Sequence, residues 1–221
     1  MARRSKEDAA QTRNAILDAA SICFNHKGVS RTSLEEIAAF AGMTRGAVYW
    51  HFDDKDALFN ALMLEHLIWP IDALFQHSSQ AQSMDPLCDL QADIVAVLSL
   101  LTGSPRMCMA FEIAMWKVEF LPDKLELSMW RKLSLDAWAA RAEQHLIGAQ
   151  ALGLIGAGIQ TAPTALAIWF FVSGLIRTWV LDIRAFDLVE QGRSILGVYV
   201  AGLICRQVGS ASCGSLVFPE S

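Results

Sequence analysis

Apolar residues recur every three or four positions along most of this 221-residue chain, which predicts helices rather than strands. Near the N-terminus, Ile16, Leu17, Ala19, Ala20, Cys23 and Phe24 form one such stripe, followed by Gly28 and Val29. A short second stripe comes next: Leu34, Ile37, Ala38 and Ala41. Ser33 stands at its N-cap, and Glu36, three residues on, can reach back to the Ser33 amide. Gly42 takes the position at which a left-handed residue ends a helix. Thr44 then caps a third segment over residues 45–52. In that segment Val48 and Phe52, four apart, turn inward, which leaves Arg45, Gly46, Tyr49 and His51 for the outer face.

The rest of the chain repeats the helical period on a larger scale. Apolar runs over residues 86–101, 105–119 and 124–146 are separated by Pro, Gly or Ser, and two more follow over 163–181 and 188–207. One continuous helix over 54–76 is predicted to join the two parts. The expected fold is therefore all-α, with a three-helix helix-turn-helix head (1–57), a larger helical ligand-binding and dimerisation body (58–208) and a Ser/Gly-rich tail (209–221). Ala165, Ile168, Val172, Leu175 and Trp179 repeat with coiled-coil-like spacing. Ile195, Val198, Tyr199 and Gly202 make a second such face, where Gly197 and Ala201 allow close approach. Packing within one chain explains part of each stripe, and a homodimer interface explains the rest.

Two short helices around a tight glycine turn form the unit that lays its second helix in a major groove of double-stranded DNA. Arg45 can donate two hydrogen bonds to a guanine, and Gly46 lets the backbone approach closely. Thr44, Tyr49 and His51 suit phosphate oxygens, as does Lys55 at the start of the next helix. Arg31 and Thr32, just ahead of the motif, join this DNA-facing set. In a two-fold dimer, two such heads read a palindromic operator. The net charge of −5 opposes this only in aggregate: residues 1–51 carry seven Lys/Arg against five acids. Arg3, Arg4 and Lys6 form a basic segment expected as an arm ahead of the first helix, either along DNA or solvated.

Composition bears on the body. Apolar residues make up 53% of the chain and charged residues only 19%, implying large buried or ligand-lining surfaces. Trp69, Met109, Glu112, Met115, Trp116, Trp138 and Phe170 are candidates for an adaptable pocket that takes a hydrophobic or aromatic small-molecule effector. Glu112 is its candidate polar group, for a cation or a phenol, if it faces inward. Residues 144–176 contain no Asp, Glu, Lys or Arg, but glycines and Pro163 interrupt them, so a buried or interface helix is expected and not a membrane span. Five dispersed cysteines without a Cys-x-x-Cys pair fit a cytoplasmic chain with reduced thiols, and Cys108 and Cys213 remain as redox candidates. Neither metal-ligand spacing, a nucleophile elbow nor a phosphate loop is present, so no metal, cofactor or enzyme activity is expected.

The runs Thr32-Ser33-Leu34-Glu35-Glu36-Ile37-Ala38 and Ala41 to Phe52, then Lys55, resemble the N-terminal signature of TetR-family repressors. Within that family the chain is most similar to the AcrR/TtgR branch, helped by Lys117-Val118-Glu119-Phe120 and Gly174-Leu175-Ile176-Arg177-Thr178-Trp179. The resemblance implies a homodimer built on the last two long helices, repression of a multidrug efflux operon and release by hydrophobic compounds. Control of another pathway, or by a protein partner or redox state, is the alternative.

Overall fold

In a computed structural model the chain is helical throughout the described residues, which are 2–78, 84–118, 125–183 and 185–205. The tail from 209 and Cys213 lie outside them, as do the side chains of Arg3, Arg4, Met129 and Trp130. Helix α1 (Ala2–Lys27) is followed by α2 (Leu34–Phe40), α3 (Arg45–His51), α4 (Lys55–Met63) and α5 (Trp69–Ser78). The body continues through α6 (Pro86–Gly103), α7 (Pro105–Glu112), α8 (Leu125–Ala151), α9 (Thr161–Leu181) and α10 (Leu188–Cys205). The basic segment is not an arm: Arg3, Arg4 and Lys6 lie within α1, which begins at Ala2.

The local chemistry of the head is as its residues dictate. The Ser33 hydroxyl accepts from the Glu36 amide, and the Glu36 carboxylate accepts from the Ser33 amide. Gly42, at φ 67°, makes the left-handed turn into α3. Leu34, Ile37, Ala38, Val48 and Phe52 are buried against Ile16, Leu17, Ala20 and Phe24 of α1 in one continuous core.

α4 and α5 run as one helix with a π-turn between them at Leu64–Ile68, where the Trp69 amide donates to the Leu64 carbonyl. Pro70 has no N–H and its ring opposes the carbonyl of His66, so the widened turn falls where the regular ladder would break. Asp85 and Ser104 cap α6 and α7 ahead of Pro86 and Pro105.

The body packs α8 on α9, α6 on α10, and α6 on α8. Gly192 is the closest approach, since a Cβ there would overlap Leu98 Cδ1. Leu98 is fully buried and has no room to retreat. Gly192→Val is therefore expected to cost about 1–3 kcal/mol by overpacking, and a guanidinium melt that matches the wild type would contradict this packing. Gly197 and Gly202, by contrast, face open space.

Three stretches, Lys55–Gln76, Pro86–Gly103 and Thr161–Leu181, are long and apolar enough to cross a bilayer. The last exceeds the shorter 165–176 run from which the sequence argues against a span. Only about a third of it is buried within the chain, so much apolar surface is left on α9. The buried stripe is Ala165, Ile168, Val172, Ile176 and Trp179. This corrects the expected dimer face: Ile168, Val172 and Trp179 are core residues of a single chain, because α9 turns that stripe onto its own bundle. Leu175 and Tyr199 are half-buried, and burial pushes the Tyr199 phenol up. Val198, Gly202 and much of Ile195 stay exposed on α10.

Candidate nucleic-acid interface and effector cavity

α3 presents its N-terminal half to solvent. The Thr44 hydroxyl accepts from the Ala47 amide at 3.2 Å, which fixes the start of the helix. Arg45 is exposed, and its Nε lies 3.0 Å from Glu35 Oε1 on α2. Its Nη2 donates to the Tyr49 hydroxyl at 3.3 Å while the guanidinium stacks over that ring. Arg45, Gly46 and Tyr49 thus form one exposed surface, and the Arg45–Glu35 pair, open to water, opposes release of the guanidinium only weakly. His51 is half-buried, edge-on to Trp50 at 4.5 Å. Burial, with nearby Arg13 adding to it, holds the His51 imidazole below its ordinary value. His51 therefore meets a phosphate as a neutral N–H donor at neutral pH.

The supporting residues divide. Arg31 is exposed, with its Nε donating to the Lys27 carbonyl at 3.0 Å. Lys55 donates from Nζ to the Ser30 carbonyl at 3.0 Å, tying α4 to the loop before α2. Thr32 is corrected: it is 2% exposed, and its hydroxyl donates to the Gly28 carbonyl at 2.8 Å, so its side chain closes the end of α1 and does not face DNA. Trp50, 73% exposed, is the residue missed. Helical spacing from the inward Val48 and Phe52 was enough to place it outside.

In the body, a cavity of about 20 Å³, room for about one water, lies between α5, α6, α8 and α9. Its apolar wall is Phe75, Leu90, Ile94, Trp138, Trp169 and their neighbours. Phe75 and Trp138 meet at 5.1 Å with their planes at 75°. Its polar wall is a cluster that the sequence reading passed over. Arg141 Nε donates to Asp93 Oδ2 at 2.7 Å, and His145 Nε2 lies 3.0 Å from the same oxygen. Arg141 and His145 are four apart on α8, and Asp93 is a lone carboxylate between Ala92 and Ile94, signals that were legible.

Of the expected pocket residues only Trp138 lines this cavity. α7 spends its apolar face on the core through Met107 and Ala110, and Ile113 follows suit, so Met109 and Met115 are half-buried elsewhere. Trp69 and Phe170 are exposed. Trp116 lies beneath the Arg177 guanidinium at 4.4 Å. Glu112 points away from the cavity and accepts from Asn25 Nδ2 on α1 at 3.0 Å. These five apolar residues and Glu112 are therefore corrected as cavity residues.

Glu112 instead joins a seam between head and body. Arg106 on α7 pairs with Asp18 at 2.6 Å, the Val29 amide donates to the Lys117 carbonyl at 2.9 Å, and Arg13 pairs with Glu65. His66 lies in the same seam, its Nδ1 buried without a hydrogen-bond partner. Burial, reinforced by Arg106 and opposed by Asp18 and Glu65, holds this imidazole below the ordinary 6.5. The unfolded chain then takes up a proton that the fold refuses, so stability falls as pH drops below about 6.5 toward the depressed folded value. His66→Gln is expected to flatten part of the fall in Tm between about pH 7.5 and 5.5, and an unchanged profile would contradict this assignment. Burial also pushes the Cys108 thiol up, with Glu112 adding to it, the opposite of a reactive thiolate.

A capped, exposed recognition helix on a larger helical bundle defines a helix-turn-helix DNA-binding protein. Residues 16–62 match the family model for bacterial regulatory proteins of the tetR family, and residues 85–204 match that for the C-terminal region of MAATS-type transcriptional repressors. The chain is 34% identical over 201 residues to the transcriptional regulator AcrR of Shigella flexneri, covering 90% of this chain and 92% of that protein. Its fold matches the crystal structure of NalD, the secondary repressor of the MexAB-OprM multidrug efflux pump in Pseudomonas aeruginosa, with a TM-score of 0.77 and 31% identity over 88% of this chain and 98% of that one. The SmeT–triclosan complex, from Stenotrophomonas maltophilia, matches at 0.76 and 29% identity over 95% and 100%. The chain belongs to the TetR family of bacterial transcriptional regulators.

Proposed function

We propose that this chain is a cytoplasmic homodimeric repressor of a multidrug efflux operon, released from a palindromic operator by a hydrophobic or aromatic small molecule. The carrying observation is the exposed start of α3, where Arg45, Gly46 and Tyr49 stand together on a capped helix. Arg45 reads a base edge, while Thr44, Tyr49, His51, Arg31 and Lys55 lie along phosphates. The head spans about 1–57 and the body about 58–208. Two copies meet through the outward faces of α9 and α10, where Phe170, Leu181, Ile195, Val198, Gly202 and Ile204 are exposed. Val198 is 73% exposed and Leu181 67%, a burden that a partner relieves.

The effector enters the body between α5, α6, α8 and α9 and widens a cavity that is closed without it. The head–body seam passes this change to α1, so the spacing of the two heads shifts away from the operator. The efflux assignment is supported by AcrR, NalD and SmeT, the last in complex with triclosan. Deleting the gene in its host tests it. Pump transcripts are expected to rise, and unchanged pump transcripts with another operon derepressed would move the regulator to a different pathway.

A further inference from the structure

Arg141 and His145 each border two spaces. Inside is the cavity of about 20 Å³. Outside is an open groove of about 570 Å³ along α6 and α8, which reaches Pro86, Asp89 and Gln144. The side chain of Arg141 is therefore part of the wall between cavity and solvent.

The inner surface has the parts that recognise an organic cation: a carboxylate, Asp93, and an aromatic corner made by Phe75 and Trp138. A cation already sits there. The Arg141 guanidinium lies 4.4 Å from the centre of the Phe75 ring, while its Nε bonds Asp93 at 2.7 Å. The two members of this pair differ in freedom. The Asp93 side chain is short and 7% exposed. That of Arg141 is long, 23% exposed and continuous with the groove. When the pair opens, Arg141 has water to move into and Asp93 does not.

We propose that Arg141 is a built-in plug of the effector cavity, and that a planar aromatic cation displaces it to take its place between Asp93 and Phe75. This rests on the assignment of the cavity as the effector site. The exchange is cation for cation. Asp93 stays paired, His145 keeps its contact with Oδ2, and the departing guanidinium is rehydrated in the groove, so no buried charge is stranded. A neutral molecule of the same shape must either leave Arg141 in place or leave Asp93 without a cation. An anion meets Asp93 directly. The plug also accounts for the small cavity, since the chain's own side chain fills the space.

Fluorescence titration of the full-length protein with 9-aminoacridine, a cation near neutral pH, and with acridine, its neutral counterpart, tests the plug. Arg141→Met keeps most of the stem but no charge, and it is expected to bind the cation about tenfold more tightly than wild type. Asp93→Asn is expected to lose the preference for cation over neutral ring. Because Arg141→Met leaves Asp93 without its guanidinium and threatens folding, Arg141→Lys serves as a second variant. It keeps the ion pair without the planar stack and is expected to show a smaller gain. Unchanged or weaker cation binding in both Arg141 variants, with acridines still bound, overturns the plug alone. Equal tightening toward both probes overturns its selectivity for cations. Binding of neither probe by any variant overturns the plug and the effector cavity together.

Discussion

Arg45→Ala is expected to yield a protein that folds as before, binds DNA, and no longer prefers its operator. The guanidinium is exposed in the free protein, and its pairing with Glu35 is between solvated groups, so stability should change by well under about 1 kcal/mol. On DNA the same group stands at the start of α3, where Gly46 lets the helix approach the base edges. A bidentate contact to guanine discriminates by about 1–3 kcal/mol, so each half-site should lose roughly five- to 150-fold in preference. Non-specific binding should persist, because cations and amides elsewhere on the head hold phosphates. Competition between operator and scrambled duplex at fixed salt reads this out, and full retention of sequence preference would mean that another residue reads the base.

Phe24→Ala is expected to be the most damaging change to the head. Phe24 is fully buried near the end of α1 and meets Phe59 of α4 edge-on at 6.1 Å. It thus sits where the head joins the helix leading into the body. Truncation removes about 3–5 kcal/mol, a large share of the total stability of an ordinary domain. Urea denaturation should show the loss, and operator affinity should fall with it because the angle between α1 and α4 is no longer held. A loss under about 1 kcal/mol would mean that neighbours collapse into the space.

The head was legible because its signals are local. The Ser33–Glu36 box, the Gly42 turn and the Thr44 cap each depend on residues three or four apart, and the structure has each of them. Thr32 was misplaced because its hydroxyl answers to Gly28, a partner set by the turn after α1 and not by the DNA motif. The body was legible as helices but not as faces. α9 carries apolar residues nearly all round, so periodicity could not say which stripe its own bundle would cover, and Ile168, Val172 and Trp179 went inside. For the same reason Glu112 was placed near a pocket when its partner, Asn25, lies 87 positions away in sequence. The Asp93–Arg141 pair spans 48 positions, a separation that only packing brings together.

A nuclease footprint on the protein's own upstream DNA, repeated with a panel of aromatic antibiotics and biocides, tests the central claim most directly. A protected palindrome that disappears with at least one compound is the expected result, since it requires both the paired heads and a responsive body. Protection that survives every compound would contradict effector control through the cavity, and absence of any protected two-fold site would contradict the operator itself.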